Sequence, residues 1–72
     1  MRPQDIEVGA TYRNRGAGRT RRTVVAIGPE HAPAVWHSGG PPPDEPGVLY
    51  EQDGRRHRLY LSSFAAWCGA RV

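Results

Sequence analysis

Three histidines and one cysteine are the side chains of this sequence best suited to hold a metal or to take part in nucleophilic chemistry. His31, His37, His57 and Cys68 follow one another at spacings of 6, 20 and 11 residues. A structural zinc site draws its specificity from close pairs, two cysteines separated by two residues or two histidines by three to five. None of these spacings supplies one. Ser62 or Cys68 could be set beside His57 and Asp53 in a hydrolase-like arrangement. Asp53, however, is committed to a turn by the glycine that follows it, and the strained, glycine-flanked turn that presents a nucleophile is missing. The carboxylates Glu51 and Asp53 fall on one hairpin and Asp44 and Glu45 in a proline-rich stretch, so no pair is placed across a cleft for acid–base work. No catalytic residue, metal site or cofactor is expected.

Arginine is the abundant functional group. Ten arginines and no lysine stand against seven acids, for a net charge of +3. From Val8 to Pro29 the chain carries Arg13, Arg15, Arg19, Arg21 and Arg22 and no acid. Arg55, Arg56 and Arg58 form a second group. The planar guanidinium, with five donors, matches phosphate and carboxylate alike. Asn14-Arg15-Gly16-Ala17-Gly18-Arg19 has the glycines of a phosphate-binding loop, but such a loop works by opening a helix after a strand. Here a strand follows and the lysine is absent, so a basic hairpin tip is expected instead.

The elements that position these groups read as short strands. With 72 residues and 38% hydrophobic content there is room for one compact domain, residues 1–72, with little core to spare. The longest apolar run, Val24-Val25-Ala26-Ile27, is far too short to cross a bilayer, and no signal-peptide-like apolar segment follows Met1-Arg2-Pro3-Gln4-Asp5, so a cytoplasmic location is expected. Residues 1–5 are expected to be flexible. A first strand through Thr11-Tyr12-Arg13, the glycine-rich turn, and a second strand over Thr20–Ile27 make a hairpin. In that second strand Val25 and Ile27 are expected on one face, with Val24 and Ala26 on the other. Ala34–His37 is the next candidate strand, and residues 38–47 form a proline-rich loop. Asp53-Gly54 is a two-residue type I′ turn signal that fixes a hairpin register: Gln52 opposite Arg55, Glu51 opposite Arg56, Tyr50 opposite His57, Leu49 opposite Arg58 and Val48 opposite Leu59. Alternation then puts Val48, Tyr50, His57, Leu59 and Leu61 inward, and Glu51, Arg56, Arg58 and Tyr60 outward. Ser62 or Ser63 is expected to cap a short terminal helix bearing Phe64, Ala65, Trp67 and Cys68, which Gly69 ends. The expected fold is mainly β, a small SH3-like barrel or curled antiparallel sheet with a short C-terminal helix.

Val8-Gly9-Ala10-Thr11-Tyr12-Arg13-Asn14-Arg15, then Arg22-Thr23-Val24-Val25-Ala26-Ile27, and finally Ser63-Phe64-Ala65-Ala66-Trp67 resemble a group of small uncharacterised phage and prophage proteins. The resemblance covers most of the chain outside a Pro41–Pro46 insertion and implies a viral origin and a small β-rich barrel. It carries over no binding or catalytic residue. From the residues themselves, the expected function is that of a non-enzymatic binding module engaging nucleic acid or a nucleoprotein complex. Arg13, Arg15, Arg19, Arg21, Arg22, Arg56 and Arg58 would supply backbone attraction, with Trp36 and Tyr60 as exposed aromatics. The alternative is a protein–protein module or host-directed inhibitor that meets an acidic protein surface. The deciding geometry is whether the two arginine groups share one face with an aromatic between them.

Overall fold

The computed structural model describes residues 1–33 and 45–72. Their strands are β1 (Thr11–Asn14), β2 (Arg21–Gly28), β3 (Gly47–Gln52), β4 (Arg55–Tyr60) and β5 (Cys68–Arg71), with one helix, α1 (Leu61–Trp67), between β4 and β5. Short 3-10 turns occupy Pro3–Asp5 and Pro29–His31. All five strands lie antiparallel in a single sheet of order β4-β3-β2-β1-β5. Within the described residues no helix is long and apolar enough to cross a membrane.

The sheet is mainly-β as expected, but it is open. The expectation of an SH3-like barrel or curled sheet is corrected by its ladders: β4 and β5 stand at opposite edges and do not pair with each other. Closure would require those edges to meet. Instead α1 leads straight out of β4 and into β5, and its Phe64 and Ala65 are buried among the sheet's core side chains. The helix therefore covers one face of the sheet, and the covered face needs no second layer of strands.

The β3–β4 hairpin has the register that Asp53-Gly54 dictates, with each of the five expected pairs and with Gly47 opposite Tyr60 in addition. Both turn residues adopt positive φ, 54° at Asp53 and 76° at Gly54, which the type I′ geometry demands. In β2 the simple alternation fails. Val24 pairs with Tyr50 but Ala26 pairs with Leu49, so Val25 is the extra residue of a bulge. The bulge brings Ile27, opposite Val48, onto the same face as Val24, and both pack in the core.

Two further expectations differ from the structure. No serine caps α1: the helix begins at Leu61, whose amide donates to the Pro46 carbonyl oxygen at 3.0 Å, while the Ser62 hydroxyl donates to Glu45 Oε1 at 2.6 Å. The helix ends at Trp67 rather than at Gly69, and Cys68, expected on the helix, opens β5 with Gly69 inside the strand, where a Cβ would come within 2.7 Å of the Asn14 carbonyl oxygen. That close approach lets β5 pair with β1. The expected strand over Ala34–His37 and most of the loop over residues 38–47 lie outside the described residues, although Gly47, placed in that loop, is the first residue of β3.

Tyr12, Val24, Val48, Tyr50, Phe64, Ala65 and Cys68 form the core with Ile6 and Ala10. Phe64 is fully buried and touches three rings: Tyr12 edge-on at 6.0 Å between centroids, Tyr50 at 5.4 Å and Trp67 at 5.5 Å. The hydroxyl of Tyr12 accepts the Glu7 amide at 2.8 Å and donates to the Asp5 carbonyl oxygen at 3.3 Å, which ties the segment before β1 to the core. Phe64→Ala should destabilise the domain by about 3–5 kcal/mol. Urea denaturation followed by far-ultraviolet dichroism measures this, and a cost below about 1 kcal/mol would remove Phe64 from the centre of the fold.

Candidate nucleic-acid interface

Cross-strand register sorts the arginines by face. Thr11 stands opposite Thr23, their hydroxyl oxygens 2.8 Å apart, and Thr23 stands opposite Glu51, which in turn faces Arg56. Since side chains two residues apart in a strand share a face, Arg13, Arg21 and Arg58 join this row on the outer side of the sheet, away from α1. Arg13 and Arg21 are themselves direct partners across β1 and β2. Both are exposed. With Arg19 and Gly18 from the hairpin tip they line a shallow depression. A neighbouring depression continues past Arg19, Arg21 and Thr23 to Glu51, Asp53 and Gly54.

Arg22 belongs to the other face. Its guanidinium carbon sits 4.7 Å from the Tyr50 ring centroid and 4.2 Å from that of Trp67, and its Nε donates to Gln52 Oε1 at 2.8 Å. It is a planar cation held between two aromatic rings at the end of the core, a packing role rather than a free surface charge. Grouping arginines by nearness in the chain concealed this. Arg22 shares its strand parity with Val24, but that Val24 faces the core follows only from the side of β2 that α1 covers.

Arg15 is likewise engaged: its Nε donates to the Cys68 carbonyl oxygen at 3.2 Å and its amide to that of Trp67 at 3.2 Å, fastening the hairpin to the start of β5. Arg56 donates from Nε to Glu51 Oε1 at 3.4 Å. Tyr60, expected in solvent, is buried, with its hydroxyl donating to the Pro33 carbonyl oxygen at 3.5 Å. Trp36 lies outside the described residues. His57, on the face of Tyr50, is exposed at the β4 edge with its ring 5.6 Å from that of Tyr50. Both arginine groups thus contribute to one outer face, through Arg13, Arg19 and Arg21 on one side and Arg56 and Arg58 on the other. The described residues place no exposed aromatic side chain between them.

Asp5 pairs with Arg2 at 3.3 Å and Glu7 with Arg71 at 2.7 Å, both away from the outer row, while Glu51 pairs with Arg56 within it. Among the described residues Arg13, Arg19, Arg21 and Arg58 have no ion-pair partner within 4.0 Å. No group of three or more metal-ligating side chains converges among the described residues either.

Cys68 is a free, fully buried thiol. Burial disfavours its thiolate and pushes its pKa from 9.0 up to about 11, against the smaller opposing pull of the N-terminal ammonium, Arg22 and Arg15. The folded state therefore holds this proton more tightly than the unfolded chain. Its contribution to stability is complete below about pH 9 and is lost as pH rises through about 11. At pH 8 Cys68 should react with an aromatic disulfide reagent many-fold more slowly in the native protein than in denaturant, and equal rates would show that the thiol is accessible.

The two neighbouring arginines of β2 should behave oppositely in stability measurements. Arg22→Gln removes a guanidinium from between two rings and should cost about 1–2 kcal/mol. Arg21→Gln removes one of two opposed like charges and should leave stability within about 0.5 kcal/mol of the parent or raise it. Thermal unfolding of the two variants side by side decides between these roles.

No family model, curated protein or solved structure matches this chain, so the attribution to phage and prophage proteins finds no support and is not carried further.

Proposed function

We propose that the domain binds the phosphate backbone of nucleic acid through the outer face of its sheet. The observation that carries this reading is the direct opposition of Arg13 and Arg21 across β1 and β2, beside Arg19, with no acidic partner among the described residues. Like charges placed opposite one another in a sheet repel and weaken the pairing. A polyanion laid across the face relieves that repulsion and releases condensed counterions as it binds. The outer face also offers little to a protein partner, because interface hot spots favour buried aromatic anchors and the outward Tyr60 is already committed to Pro33. Contacts limited to phosphates position a nucleic acid without reading its bases, so binding on this reading is independent of sequence.

The test is a salt series. Fluorescence anisotropy with duplex DNA, single-stranded DNA and RNA is measured for the parent and for the triple variant Arg13→Gln, Arg19→Gln, Arg21→Gln. Arg15 and Arg22 are left intact because both serve the fold. Loss of three phosphate contacts should lower the slope of log affinity against log salt by about 2–3, with thermal unfolding close to the parent. Absence of parent binding to all three ligands at low salt, or identical slopes for parent and variant, would overturn the proposal.

A further inference from the structure

Glu51 is the only acidic residue in any of the five strands. It occupies the middle of the arginine-bearing face. Arg56 stands directly opposite it, with Nε 3.4 Å from Glu51 Oε1. Because Glu51 also pairs with Thr23 and its neighbour Leu49 with Ala26 and Arg58, the diagonal positions beside it belong to Arg21 and Arg58. It lines the same depression as Arg19 and Arg21. The pair is open to water, with 62% of the Arg56 side chain and 47% of the Glu51 side chain exposed, so an anion in solution can compete for the guanidinium.

Resting on the nucleic-acid reading above, we infer that Glu51 is a built-in competitor for the phosphate backbone. Its carboxylate occupies Arg56 and divides the outer face into two basic halves, Arg13, Arg19 and Arg21 on one side and Arg58 on the other. A phosphate reaching Arg56 must displace the carboxylate and also lie beside its charge. Glu51 thereby sets the affinity of the face and limits the number of phosphates it holds, a determinant of how tightly the domain grips a polyanion rather than of which bases it meets.

Glu51→Gln keeps the side-chain shape and removes the charge. Glu7→Gln is the control, since it changes net charge equally and frees Arg71, which is paired with Glu7 at 2.7 Å, away from the outer row. Anisotropy with duplex DNA should show tighter binding for Glu51→Gln and a salt slope steeper by about 0.9, corresponding to one added phosphate contact. The affinity gain over the parent should then shrink about 3.5-fold between 50 mM and 200 mM salt. Glu7→Gln should change affinity less than about twofold, because the Glu7–Arg71 pair lies off the outer row and both side chains are exposed, so salt screens the change. Adding Arg56→Gln to Glu51→Gln should abolish the gain in slope, and thermal unfolding of each variant confirms that the fold is kept. If Glu51→Gln binds no more tightly than Glu7→Gln, or if its gain survives the loss of Arg56, the role assigned to Glu51 is overturned while the nucleic-acid reading stands. Failure of the parent to bind any nucleic acid overturns that reading, and the role of Glu51 with it.

Discussion

Everything in this domain turns on the side to which Phe64 points. Its ring is inserted among Tyr12, Tyr50 and Trp67, and among the described residues no other side chain joins the helix to both halves of the sheet through so many rings. Burial of this ring draws α1 across one face, and a chain of this size has no second helix among its described elements with which to cover the other. The face that α1 covers is the dry one. On the other side Arg13, Arg21, Arg56 and Arg58 are exposed, while Tyr60 is buried with its hydroxyl on the Pro33 carbonyl oxygen.

Strand parity then divides the arginines into two populations with different physical tasks. On the covered side Arg22 is desolvated in part and stacked, its charge satisfied by ring faces and by Gln52 Oε1. On the uncovered side Arg13 and Arg21 face each other in water. Arg15 forms a third case, since it holds a carbonyl of β5 from the hairpin tip. Chemically identical side chains within ten residues of one another therefore act as packing material, as a surface charge and as a clasp.

Local signals were legible in the sequence, and long-range ones were not. Asp53-Gly54 specifies its hairpin because two adjacent residues must both take positive φ, and the whole register of β3 against β4 follows from that turn. The bulge at Val25 has no local signature: Val24-Val25-Ala26-Ile27 is compatible with an unbroken strand, and only the match to Tyr50 and Leu49 on β3 forces the extra residue. β5 was hidden for a related reason. Cys68-Gly69-Ala70-Arg71 contains no β-branched or aromatic residue, and its extended form comes from pairing with β1 rather than from propensity. Of the site, the membership of Arg56, Arg58 and Glu51 in one outer face could be read from the hairpin. The separation of Arg21 from Arg22 depended on knowing which side of β2 the helix covers.

The pairing of β1 with β5 has a kinetic meaning. Tyr12 is registered against Arg71, so the two strands that finish this edge of the sheet are drawn from distant parts of the chain. Closing so large a loop costs entropy before any ladder bond compensates, which places the domain with topologies that fold in about milliseconds to seconds rather than with microsecond helical bundles. The β1–β2 and β3–β4 hairpins join residues close in the chain, whereas β5 pairs with β1 only once the two ends of the chain have been brought together. Until then the outer edge of β1 is an unpaired template, and the arginines on its hairpin repel a second copy of themselves during that interval.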